Sequence, residues 1–244
     1  MRSSAAAART TLVLVALVVS LAIPVPAALA QRVPRIWEVA LGIPVDEIPA
    51  DFVMQACGSN GGPPTTPLNG FKEFARCPVE PATGLHEVWF SYDDTEEYFL
   101  RAHRMMEEII DAGRANTLFG QLVIYSVLID AEGRIQGYRI ISDPREKVVR
   151  RWEADVIAMP LQNVVFGAGG WTCTDLPPIE GEKPFRGQLK KENCQKLSDE
   201  RRITMETRVL LKPGQMLTRQ GEALQPNEFD VQVRVEVVKA GLLR

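Results

Sequence analysis

The stretch Gln121-Leu-Val-Ile-Tyr-Ser-Val-Leu-Ile-Asp130-Ala-Glu-Gly133-Arg-Ile-Gln-Gly-Tyr-Arg-Ile-Ile-Ser142 decides how this chain folds. Two runs rich in β-branched and aromatic residues flank Asp130-Ala-Glu-Gly133, a turn in which Gly133 can take the positive φ that a short hairpin requires. In the first run Val123, Tyr125, Val127 and Ile129 alternate with Leu122, Ile124, Ser126 and Leu128. Both faces are apolar, so the strand is expected to be central and covered on both sides.

Working outward, His86, Val88, Phe90 and Tyr92 alternate with Leu85, Glu87, Trp89 and Ser91, which predicts a strand starting near Leu85. Asp93, Asp94 and Thr95 then cap a helix expected to run to about Ala112, with Tyr98, Phe99, Ala102, Met105, Met106, Ile109 and Ile110 on one arc. Beyond the hairpin, Asp143 as N-cap, Pro144 at the first helical position and Glu146 as capping-box acid predict a second helix. Its apolar face is expected to hold Val148, Val149, Trp152, Val156 and Met159, and it should stop at or just before Pro160. Two late strands follow, around Ile203 to Val209 and Phe229 to Val237, each with one wet face as in antiparallel sheets.

This order predicts an α+β domain: an antiparallel sheet of about five strands with two main amphipathic helices on one face. Residues 31–84 are expected to form an irregular leading segment, with at most a short helix from Asp51 to Ala56, and 85–244 the sheet and helices. Residues 167–200 are expected to be irregular apart from a polar helical turn near Lys190 to Asp199. The hairpin followed by an amphipathic helix, over about Gln121 to Met159, resembles the carboxy-terminal domains of TonB-like proteins; the motifs are generic and assign no family.

The first 30 residues differ from the rest. Arg2 and Arg9 are their only charges, Leu12 to Ile23 is apolar but for Ser20, and Pro24, Pro26 and Ala28-Leu29-Ala30 follow. This is the layout of a secretory signal peptide cleaved after Ala30, with an apolar core short of the roughly 20 residues a membrane span needs. Cleavage removes two arginines and no acid from a chain of 244 residues and net charge -3, leaving 214 residues and -5. Mild acidity argues against nucleic acid or anionic lipid as partners through charge alone. The protein is therefore expected to be exported, periplasmic if bacterial and otherwise secreted, with no membrane insertion after cleavage.

Four cysteines remain in the exported part, Cys57 and Cys77, then Cys173 and Cys194. An even count in an exported chain points to disulfides. Each close pair brackets turn-rich sequence, which favours Cys57 with Cys77 and Cys173 with Cys194, each closure worth about 3 kcal/mol in the chain-entropy model. No C-x-x-C spacing supports zinc, and no metal or cofactor is expected.

Reaction chemistry has few carriers. No G-x-S-x-G, phosphate-binding glycine loop or H-E-x-x-H occurs. The histidines are His86 and His103; together with Asp93 and Asp94 they could build a small hydrolase or metal-binding site if strand and helix pack together. Simpler roles are a helix-surface histidine and carboxylates that cap a helix start. The leading expectation is a non-enzymatic accessory or binding protein for an unidentified envelope partner, with Trp37 and Trp171 as candidate anchors of the interface. The hydrolase is the first alternative, and a membrane-anchored subunit of an envelope complex, keeping residues 12–30 as its anchor, the second.

Overall fold

The structure is a computed structural model that describes residues 34–93, 116–146, 148–215 and 229–242. They belong to one compact unit, Val33–Arg244. The expected signal segment, the helix expected from Thr95 to Ala112, Asp94 and His103 lie outside the described residues.

Among the described residues nine strands form one antiparallel sheet: β1 (Phe52–Cys57), β2 (His86–Tyr92), β3 (Thr117–Leu118), β4 (Gln121–Ile129), β5 (Ile135–Ser142), β6 (Trp171–Asp175), β7 (Lys190–Leu197), β8 (Arg201–Leu210) and β9 (Asp230–Lys239). Their order is β1-β2-β4-β5-β9-β8-β7-β6, with β3 paired to β4 off this path. Two meanders thus meet along β5 and β9, where Ile140 lies opposite Val235 and Gly137 opposite Val238. The approach at this seam explains a glycine inside a strand: a Cβ on Gly137 would lie 2.4 Å from the Val237 carbonyl oxygen.

The expected α+β arrangement is overturned. The protein is mostly sheet, and among the described residues one helical run has any length, the twelve residues 154–165. The five strands read from alternation are present; β1, β6 and β7 fall where irregular chain or helical turns were expected, and β3 falls in a stretch to which no element was assigned. In β1 a register shift between Val53 and Ala56, with Met54 at φ 54°, breaks the two-residue period. β7 carries Cys194 as its one fully buried residue, so it shows no apolar alternation.

The second helix also differs. Asp143 caps only a turn, accepting from the Arg145 N–H at 2.8 Å, and a single helical turn, Val148–Arg151, follows. A break at Trp152 and Glu153 resets the phase. The 154–165 run then buries Ala154, Ile157, Ala158 and Leu161, spaced as one helix face, while Val156 and Met159 point to solvent. Pro160 lies inside the run, where 3-10 pairing passes through α to π pairing, and the helix continues to Val165.

One sheet face builds the core. Val88, Phe90, Tyr125, Val127, Tyr138, Ile140, Val233, Val235, Ile203 and Met205 are buried on it. Ile36, Leu68 and Phe71 cover it from the segments around β1, and Ile157, Ala158 and Leu161 cover it from the helical run, which packs on β8 and β9. Each such aliphatic or aromatic side chain contributes about 1.5–3 kcal/mol by leaving water. The opposite face carries Glu87, Ser126, Arg139, Thr204, Glu206, Arg208, Gln232, Arg234 and Glu236, by the register of β2, β4, β5, β8 and β9.

Candidate functional site

The polar face has a charged centre at Arg139, 1% exposed in the middle of β5. Its Nε donates to Glu236 at 2.7 Å, its Nη1 to Glu87 at 3.0 Å and its Nη2 to Glu80. A guanidinium presents its N–H groups as a planar fork, which suits three carboxylates arriving from three segments. Glu87 also accepts from the Ser126 hydroxyl at 2.7 Å and the Asn60 N–H at 2.8 Å, and Glu80 from Thr83 at 2.8 Å. A Cβ on Gly58 would lie 2.4 Å from Glu87 Cγ, so the glycine leaves the room that Glu87 occupies. Burial pushes the Glu80 carboxyl up, but hydrogen bonds from Arg139 and Thr83 outweigh it and hold Glu80 below the ordinary glutamate range. Burial alone would lower the Arg139 value; its carboxylate partners reverse that and keep it charged.

Over this centre lies a cleft of about 450 Å³, lined among others by Asn60, Glu80, Thr204, Glu206, Arg234 and Glu236. The signal for it was a lone arginine in the apolar run of β5, with Glu87 and Glu236 on the corresponding faces of β2 and β9. Sequence reasoning missed it because those partners are 52 and 97 residues away along the chain.

A second feature is the sheet edge at β6. The disulfides Cys57–Cys77 and Cys173–Cys194 both form, in the expected pairing. Cys57 and Cys77 are buried in the core, whereas Cys173 is exposed on β6 and joins it to Cys194, directly opposite on β7. Residues 172–175 are exposed. The Leu176 N–H donates to the Lys191 carbonyl at 2.7 Å, which fixes the phase of the β6–β7 ladder. Thr172 and Thr174 therefore bond to β7, and the N–H and C=O groups of Trp171, Cys173 and Asp175 point away from the sheet. The other edge is covered, since the 65–68 segment bonds back to Cys57 and Gln55.

The expected anchors differ in setting. Trp171 begins β6, half-buried against the core; its Nε1 donates to the Gly167 carbonyl at 2.9 Å, and Lys196 Nζ lies 5.9 Å from the ring centroid. Trp37 lines a separate recess of about 620 Å³ with Leu41, Arg201 and Lys239. His86 and Asp93 sit at opposite ends of β2, roughly 23 Å apart at about 3.3 Å per residue, and are not brought together. His86 Nδ1 is 2.7 Å from the Cys77 carbonyl oxygen, and its ring meets Phe74 edge-on. The Asp93 N–H donates to the Asp51 carbonyl at 3.0 Å. Among the described residues, Cys173, Glu192 and Cys194 cluster closely enough for a metal, but the two sulfurs are bonded to each other.

These features define a single-sheet antiparallel protein with a stapled free edge and a charged cleft. Comparison with known family models, curated proteins and solved structures returns no match.

Proposed function

We propose that this chain is an exported, non-enzymatic accessory protein that holds an extended segment of an envelope protein along β6. The observation that carries the reading is the row of outward N–H and C=O groups at Trp171, Cys173 and Asp175 on an exposed strand. An extended chain can add there as a further strand, with main-chain hydrogen bonds supplying affinity and neighbouring side chains selectivity. Edge strands that avoid such pairing carry charges, above all lysine, proline or a bulge; β6 has no lysine, proline or bulge, and its one charge is Asp175 at its end. The Cys173–Cys194 staple holds the strand in register before a partner arrives, which lowers the ordering cost of binding. The apolar leader of residues 12–23 and the two disulfides support export, to the periplasm in a bacterium and otherwise outside the cell.

The carboxylates around Arg139 support binding over turnover. Glu80 is held ionised by its partners and is a poor proton donor near neutral pH.

Crosslinking of the tagged chain in an envelope extract, read by mass spectrometry, tests this reading. The partner's crosslinks should fall on Lys190, Lys191 and Lys196 of the neighbouring strand. Asp175→Pro removes an outward N–H and leaves the β6–β7 bonds in place, so it should weaken capture about five- to tenfold with the melting temperature unchanged. Capture by Asp175→Pro equal to wild type, or crosslinks confined to other surfaces, overturns the proposal. A symmetric crosslink between two copies would replace the envelope partner with the chain itself.

A further inference from the structure

We propose that the cleft above Arg139 binds the α-amino end of an amino acid or peptide, taking its ammonium on Glu206 and the adjacent carboxyl or carbonyl oxygen on Arg234. Glu206 of β8 and Arg234 of β9 are directly opposite cross-strand partners on the polar face. Opposite charges in that relation ordinarily close on each other. Here they do not. Arg234 turns instead toward the Glu236 carboxylate and the Asn60 carbonyl, each at 3.4 Å, the outer limit of hydrogen bonding. The Glu206 carboxylate makes no ion pair or hydrogen bond among the described residues. The opened space is the cleft, at about 450 Å³ within the range of small-molecule sites.

The other groups narrow the ligand class. Arg139 is spent on three carboxylates and forms a fixed floor. Arg208 is engaged by Gln232 and Asp230, so Arg234 is the guanidinium left with N–H groups to give. Burial, and next the charge of Arg139, weaken its hold on its proton, and the carboxylate charges of Glu236, Glu206 and Glu87 offset this only in part. Thr204, two residues from Glu206 on the same face, adds a hydroxyl to the lining. The cleft lining carries three guanidiniums, Arg139, Arg208 and Arg234, and three carboxylates, Glu80, Glu206 and Glu236. That balance offers no surplus positive charge to a phosphate or sulfate, and a single carboxylate outside any ion pair is too few ligands for a metal ion. An ammonium beside an oxygen acceptor satisfies both open groups at once.

The test titrates the protein, recovered from expression of the full chain, with glycine, glycylglycine and N-acetylglycylglycine, by calorimetry and by the Arg234 Nε–H resonance. Saturable binding of glycylglycine that acetylation removes is expected; glycine against glycylglycine separates a free amino acid from a peptide end. Glu206→Gln and Arg234→Gln should each weaken binding by about tenfold or more, with melting temperatures near wild type, and Arg234→Lys should recover part of it. Equal binding of the acetylated probe, or no saturable binding of any probe, overturns the proposal. Asp175→Pro should leave this binding intact, so the cleft and the β6 edge stand or fall separately.

Discussion

Arg139 sets the character of the polar face because a buried guanidinium is tolerable only when its charge is met. Its three carboxylates come from the 80s segment, β2 and β9, so one side chain cross-links elements distant in sequence. Replacing it removes the cation and leaves buried carboxylates facing one another. Arg139→Met should therefore cost about 3–5 kcal/mol at neutral pH, read by denaturant unfolding. The wild type carries a matching pH signature. Glu80 is held below its ordinary value of 4.5, so its contribution is complete above that pH and is lost as pH falls through the lowered value. Wild-type stability should stay level from neutrality to about pH 5 and decline below it, with the Arg139→Met deficit shrinking over the same interval as the facing carboxylates take up protons. A deficit that is the same at pH 7 and pH 3.5 would place the damage in packing instead of charge.

Elements differ in how far they could be read from the sequence, and the difference follows burial. β4, β5, β8 and β9 carry apolar residues at most core-facing positions, Gln121, Ser142 and Thr207 being exceptions, so alternation exposes them. β7 turns Lys190, Glu192, Cys194 and Lys196 toward that same side at the thin end of the sheet, where one cysteine is all the core it meets. β6 has no covered face at all beyond Trp171, and hydrogen bonding to β7 with one disulfide holds it. The charged cleft was hidden for another reason: each of its residues is ordinary alone, and only strand register brings them together. The cysteine pairing, in contrast, was legible from spacing. The two staples should behave differently. Replacing Cys57 and Cys77 by serine opens a core-embedded loop and should lower global stability by about 3 kcal/mol. Replacing Cys173 and Cys194 frees an exposed edge, so it should chiefly raise hydrogen exchange at Thr172 and Thr174 while the global transition moves little. Equal losses in global stability from both double variants would mean that β6 unfolds only with the whole sheet.

At the scale of the whole molecule, if the chain is exported as proposed, the needs of the folded unit bound where a signal could be cut. That unit begins at Val33, and the first strongly held residue after it is Ile36. Ile36 is fully buried in the main core, and its N–H donates to the Tyr92 hydroxyl at 2.7 Å, tying the start of the chain to the end of β2. The Arg35 guanidinium lies over the same ring, 5.7 Å from its centroid. Cleavage after Ala30 spares all of these contacts and leaves a few residues ahead of the anchored segment. Cleavage six residues later would remove Ile36, and with it a buried side chain and a hydrogen bond to a buried tyrosine, at a cost of about 2–5 kcal/mol. We therefore expect amino-terminal sequencing and intact mass of the exported protein to give Gln31 as the first residue with both disulfides formed. A variant beginning at Trp37 should be exported but melt at lower temperature. A product that keeps residues 1–30 and fractionates with membranes would instead make the amino-terminal segment an anchor.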